Sequence, residues 1–225
     1  MAWGMRNIVI GLFGSSIIEG RIGAEDAGDR YYALLQKKLS QRFPEVCFSI
    51  INGAVGGWST RELMGIFDKE IGRIPLDYCI VMHGANNHDQ DNPERILKEG
   101  ELQQLMDEFD SRLPDSCRRI GVICNPVINR FHSVTSNPAW QNLLQQYGGL
   151  DEVMETEREE ARAHFAGIGC PVVDLGKVMR SDPEKYILTS DGIHLSPAGH
   201  RLFADLLFEV LEKEIISNGQ DTNGR

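Results

Sequence analysis

Short, almost unbroken apolar runs alternate along this chain with longer segments of helical period. The runs fall at 7–13, 47–51, 77–82, 120–125 and 171–175. Each is the length of a strand, and their continuous apolar character suits strands buried on both faces. Between them Tyr31, Leu35 and Leu39 recur at helical spacing, as do Leu63, Phe67 and Ile71. Ser59 and Glu62 form a capping box opening the second of these helices. Asn92-Pro93 is expected to open a third helix, with proline in the first turn. Leu150, Met154, Ala161 and Phe165 mark a fourth, and Ser196-Pro197 opens the last, carrying Leu202, Leu206 and Val210 beside Phe203, Leu207 and Leu211.

Strands alternating with helices predict βαβ units, and hence one α/β domain over 1–216: a three-layer α/β/α sandwich around a five-stranded parallel sheet. Residues 217–225 are expected to be a flexible polar tail. The stretch 125–149 is longer than an ordinary connection and is a candidate lid or binding wall, holding Phe131, Trp140 and Tyr147.

Composition removes several function classes. The 225 residues carry 33 acidic against 23 basic side chains, a formal net charge of −10. An acidic chain without a Lys/Arg run does not neutralise nucleic-acid phosphates and has no polybasic hold on an anionic membrane. No apolar run reaches the roughly 20 residues of a membrane span. The apolar stretch 7–13 lacks a following small-residue cleavage site, so it reads as a strand and not a leader. Five cysteines without C-x-x-C spacing read as buried thiols of a reduced, cytoplasmic protein. His83, His88 and Asp89 are weighed as a metal site, but the two histidines straddle a glycine-containing turn and find no further ligand at a recognisable spacing, so no metal is expected.

In parallel sheets ligands bind beyond the carboxyl ends of the strands. Four polar or glycine-rich clusters fall there: Gly14-Ser15-Ser16, Asn52-Gly53-Ala54-Val55-Gly56-Gly57, Gly84-Ala85-Asn86-Asn87 and Asp191-Gly192-Ile193-His194. Together they have the parts for acyl transfer. A serine nucleophile needs an imidazole to take its proton, and the imidazole needs a carboxylate to orient it. Asp191 and His194, three apart, can be presented by one turn. Glycine-rich turns expose backbone N–H groups for an oxyanion, and Asn86 offers a side-chain amide.

In order and position these clusters resemble the motif blocks of the SGNH hydrolases, also called GDSL-type esterases and lipases, over residues 7 to about 211. The resemblance implies a flavodoxin-like SGNH hydrolase fold and a catalytic triad of Ser16, Asp191 and His194, with Ser16 rather than Ser15 as nucleophile. It also implies an oxyanion hole from Ser16, Ala54 and Asn86, and no cofactor. Ser15, Gly53, Trp58, Asn87 and His88 are candidate substrate contacts.

Three positions depart from the family pattern. Ser15 and Asn87 stand where aspartates are usual, removing two negative charges, and Ala54 stands for glycine. The implied activity is serine-dependent hydrolysis of a small O-acyl ester, acetyl or short-chain, with an acetylated sugar among the candidate substrates. A lysophospholipase or thioesterase, and a non-catalytic carbohydrate-binding relative, are the alternatives. A homo-oligomer stays open. An α/β-hydrolase is disfavoured because no G-x-S-x-G elbow occurs, and a nucleotide-binding domain because no Walker or G-x-G-x-x-G loop does.

Overall fold

The structure, a computed structural model, describes residues 6–83 and 86–221, with side chains to residue 218. Five strands form one sheet: β1 (Arg6–Phe13), β2 (Val46–Asn52), β3 (Tyr78–Val81), β4 (Arg118–Ile123) and β5 (Val172–Asp174). Every pairing is parallel and the order is β2-β1-β3-β4-β5. The connecting helices are α1 (Ser16–Glu19), α2 (Tyr31–Arg42), α3 (Thr60–Phe67), α4 (Glu101–Arg112), α5 (Gln141–Tyr147), α6 (Leu150–Gly167), α7 (Leu175–Val178), α8 (Pro183–Tyr186) and α9 (Pro197–Asp221). The expected α/β/α architecture is the observed one.

Alternation along the strands divides the core in two. Ile8, Ile10 and Leu12 of β1, with Tyr78 and Ile80 of β3 and Ile120 and Val122 of β4, face a cluster completed by Tyr31, Leu35 and Leu39 of α2 and Phe203, Leu207 and Leu211 of α9. The opposite face carries Phe13, Cys79, Val81 and Ile123 against Leu63 and Phe67 of α3, Met106 and Phe109 of α4, and Phe165 of α6. Gly121 makes that second layer possible, because a Cβ there would stand 2.6 Å from Phe165 Cδ2.

The local signals worked to different degrees. Ser59 and Glu62 close both halves of the capping box. Beyond Phe67 the helical run continues as one π-helical turn, Asp68–Gly72, which keeps Ile71 buried. Asn92-Pro93 opens only a 3-10 turn, Pro93–Arg95. There Asn92 N–H, Asn92 Nδ2 and the Arg95 guanidinium are all drawn to the Asp89 carboxylate, and the helix waits until Glu101, after the left-handed Gly100. The final helix continues to Asp221, so the expected tail begins inside it, and 222–225 lie outside the described residues. The stretch 125–149 is ordered into three 3-10 turns and α5. All five cysteines are free, with Cys79, Cys117 and Cys124 buried and Cys47 exposed.

His83, at the end of β3, is enclosed by this packing. It meets Phe109 edge-on at 5.1 Å and stacks near Phe165 at 6.1 Å. Neither ring nitrogen has a hydrogen-bond partner among the described residues. Burial, with His164 nearby, brings its pKa from an ordinary 6.5 down to about 3. Between those values the unfolded chain binds a proton that the folded chain refuses, so acidification favours unfolding by about 1.4 kcal/mol per pH unit. Urea unfolding at stepped pH should therefore give His83→Leu a flatter fall in stability than the parent over that window. Parallel falls in the two proteins would remove His83 as the cause.

Candidate active site

The clusters converge at the carboxyl ends of β1, β2 and β3. Ser16 is the first residue of α1, which starts directly after the Gly14-Ser15 turn. From the far end of the chain, the turn before α9 brings His194 Nε2 to 3.0 Å from Ser16 Oγ. His194 Nδ1 lies 2.9 Å from Asp191 Oδ2. The other carboxylate oxygen, Oδ1, accepts the backbone N–H groups of Ile193 and His194, each at 3.0 Å.

Partial burial works to raise the Asp191 pKa, but those two N–H groups and His194 outweigh it and hold the carboxyl below its ordinary value. Gly192 makes the turn with φ of +74°. A Cβ there would come within 2.6 Å of Ile128 O, so glycine is needed both for the dihedral and for the space. The three side chains thus form one hydrogen-bonded line, carboxylate to imidazole to hydroxyl.

A cavity of about 450 Å³ opens over Ser16 and His194, walled by Glu19, Ile22, Gly56, Gly57, Asn86, His132 and Ile193. Asn86 therefore reaches the site as expected. Its Nδ2 donates to Ser15 Oγ at 2.6 Å and to Trp58 O at 2.9 Å. Gly84 and Ala85 of the same cluster lie outside the described residues.

Ala54 does not reach the cavity wall. Its N–H donates to Asn52 Oδ1 at 3.1 Å, closing the turn after β2, so the group expected to meet an oxyanion is already engaged. Further along the same cluster, Gly56 and Gly57 line the cavity, and their N–H groups form no hydrogen bond among the described residues. A Cβ on Gly56 would lie 3.5 Å from Ser16 Cβ, which fixes how close this turn runs to the serine. Gly57 has φ of +79° with open space in front of it. The signal was present as consecutive glycines, but spacing does not say which of several N–H groups a turn leaves unpaired.

The five candidate contact residues separate by role. Ser15 is buried beneath Asn86. Gly53 is a packing glycine, since a Cβ would meet Ile71 Cγ2 at 2.5 Å. Asn87 is fully buried and pairs with Thr60, its Oδ1 accepting the Thr60 N–H at 2.8 Å. Trp58 packs against the second core cluster. His88 lines a smaller cavity beside the one over Ser16. Its Nε2 is 3.2 Å from Glu157 Oε1, an ion-pair distance whose alignment falls short of a hydrogen bond. Burial lowers the His88 pKa, but Glu157 more than offsets it.

Sequence reasoning missed His132. It lies within the 125–149 stretch, away from any strand end, and no spacing rule singles it out. Its Nδ1 accepts the Val134 N–H at 3.3 Å, which leaves the ring's other nitrogen to carry the proton. Burial, together with His194, holds its pKa below the ordinary value despite Asp191. His200, in contrast, is structural: it is buried, with Nε2 2.9 Å from Ile22 O and Nδ1 accepting the Tyr31 N–H.

Residues 12–202 match the GDSL-like Lipase/Acylhydrolase family. No sequence among the curated proteins matches this chain. Similar solved structures include a lipase/acylhydrolase from Enterococcus faecalis, 20% identical with a TM-score of 0.69, the match covering 92% of this chain and 96% of that one. An α/β hydrolase from the metagenome of Lake Arreo, Spain, is 22% identical, with a TM-score of 0.67 and coverage of 90% and 94%. The acetylxylan esterase Axe2 from Geobacillus stearothermophilus is 15% identical, with a TM-score of 0.66 and coverage of 91% and 94%. At these identities the likeness is one of fold. The family match spans most of the chain and includes all four clusters, so this protein belongs to the GDSL-like lipase/acylhydrolase family, the ester-cleaving hydrolases.

Proposed function

We propose that the protein is a serine esterase that hydrolyses small O-acyl esters through an acyl-enzyme intermediate. The observation that carries this reading is the continuous line from Asp191 through His194 to Ser16, with links of 2.9 and 3.0 Å. His194 Nε2 takes the Ser16 proton as Oγ attacks the acyl carbon, and Asp191 stabilises the imidazolium that forms. His194 then returns the proton to the leaving alcohol. A water, deprotonated by the same nitrogen, releases the acid and restores Ser16.

For the oxyanion the donors are the N–H of Ser16, the N–H groups of the Gly56-Gly57 turn (unpaired among the described residues) in place of Ala54, and Asn86 Nδ2. Asn86 is engaged with Ser15 Oγ at rest. A developing negative charge displaces that neutral hydroxyl, because hydrogen bonds to ions are roughly twice as strong. The Axe2 likeness, in a protein described as an acetylxylan esterase, brings an acetylated sugar among the candidate substrates. Five free thiols support a reducing, cytoplasmic setting.

One observation favours a second reading. Both Asn86 amide hydrogens are occupied at rest, by Ser15 and Trp58, which suits a non-catalytic carbohydrate-binding relative that has no oxyanion to bind. Labelling with a fluorophosphonate separates the two readings, since only an activated Ser16 reacts. On a p-nitrophenyl ester, Ser16→Ala and His194→Ala should each cut turnover roughly 10³-fold or more with folding intact. Asn86→Ala should lose roughly 10²–10³ in kcat, the usual worth of one oxyanion donor. Absence of labelling and of turnover in the parent would move the assignment to the binding relative.

The pH profile gives an independent check. Base catalysis requires neutral His194, whereas Asp191 is held below the ordinary carboxyl range and stays ionised. As the pH is lowered, log kcat/KM should therefore fall with a limiting slope of one, because a single protonation removes the base. A flat profile to pH 4 would rule out a histidine base.

A further inference from the structure

Beside the catalytic pocket lies a second, more enclosed cavity of about 200 Å³. Asn86, His132 and Ile193 line both, so the two adjoin at those residues. Its wall carries Val134 and Trp140 from the 125–149 stretch and Leu150 and Met154 from α6, each less than a tenth exposed.

The carboxylates of this wall are consumed by their neighbours. Asp89 accepts from the Asp91 and Asn92 N–H groups, from Asn92 Nδ2 and from Arg95 Nη1. Asp91 accepts from Asn137 Nδ2 and, at 3.0 Å, from Trp140 Nε1. That last bond also fastens the 125–149 stretch across the cavity, so the wall is a built one. What remains for a ligand is mostly carbon.

We propose that this cavity is the acyl pocket and that it selects acyl groups longer than acetyl. The inference rests on the Ser16 esterase reading and specifies its substrate. The catalytic pocket itself opens past Glu19 and Ile22, the latter 43% exposed, and that side admits the alcohol. A polyhydroxy alcohol in the second cavity would bury most of its hydroxyls against Val134, Trp140, Leu150 and Met154, with only Asn86, His88 and His132 to answer them, which is costly. An acyl chain loses nothing there and gains by leaving water. The volume is below the roughly 300–1,000 Å³ of drug-sized ligand pockets, so the chain is short.

The test is a p-nitrophenyl ester series from acetate to octanoate, run on the parent and on two cavity-filling variants, Val134→Phe and Met154→Phe. In the parent kcat/KM should rise about fourfold per added methylene, the equivalent of burying one CH₂, to an optimum at butyrate or hexanoate. The hexanoate-to-acetate ratio should fall at least tenfold in a variant that unfolds as cooperatively as the parent. If acetate is the best substrate of the parent, or neither folded variant moves the ratio, the proposal is overturned. It is equally overturned if the variants change preference among alcohols at fixed acyl length, for the cavity would then hold the alcohol. Fluorophosphonate labelling keeps the two readings apart, because an unlabelled Ser16 removes the esterase itself, whereas a labelled Ser16 with an unmoved ratio removes only the pocket.

Discussion

The Arg158 guanidinium, 1% exposed, is the charge around which the carboxyl end of β4 is organised. Its five N–H bonds reach Cys124 O, Asn125 O, Asp151 O, Asp151 Oδ1 and Glu155 Oε2. Each donor of the fork is thus satisfied, which is the condition for keeping a buried arginine. Asp151 in turn accepts the Val127 N–H at 2.8 Å and Arg180 Nη1 at 2.8 Å. Burial would raise the Asp151 pKa, but these partners hold it low and ionised. The arrangement matters to the site through one further link. Asn125, fully buried and holding a carbonyl to Arg158, donates through Nδ2 to Ile193 O at 2.8 Å. The turn that carries His194 is therefore tied to the sheet through a neutral amide bond whose donor residue is itself held by a charge-assisted one. A lost partner would strand a buried charge, at a cost of about 3–5 kcal/mol.

Placing Ser16 against His194 is a problem of bringing distant segments together. Ser16 and His194 are 178 positions apart in sequence and 3.0 Å apart in space. Ser16 is fixed by the first strand, which has neighbours on both sides in the sheet. His194 has no strand of its own. It is held by the Gly192 turn, whose carbonyl accepts the Ile128 N–H, by Asn125, and by the 2.8 Å bond from Leu188 N–H to its own carbonyl. The serine side is rigid by topology and the histidine side by polar contacts.

What the sequence disclosed follows this division. Strands and the two-sided core were legible because alternation and apolar run length are local properties: Ile8, Ile10 and Leu12 name one face and Phe13 the other. Ser16, Asp191 and His194 were legible as candidates because the first closely follows β1 and the other two stand in the short turn before α9. Asn92-Pro93 misled because local propensity lost to Asp89, whose carboxylate drew in the groups that would have begun the helix. Ala54 misled for a similar reason, its N–H being captured by Asn52 Oδ1 two residues earlier. His132 left no trace, since its position depends on how the 125–149 stretch folds back over the sheet. Where a residue's role depends on which partner wins a hydrogen bond, periodicity has nothing to say.

Helix α6 carries an ionic face and a cavity-lining face and keeps them separate. Asp151, Glu155, Arg158 and Arg162, spaced three and four apart, make the ion pairs that fix the histidine side. Leu150 and Met154, one position earlier in each turn, face the enclosed cavity. Ala161 and Phe165 continue into the second core cluster. Side chains three or four apart share a face and adjacent ones do not. Substitutions at 150 and 154 can reshape the cavity while the ionic face stays paired. The reverse does not hold, because loosening Asp151 or Arg158 shifts the backbone from which Leu150 and Met154 project. Pocket shape is thus the more freely varied property, and the placement of His194 is the one the helix has to conserve.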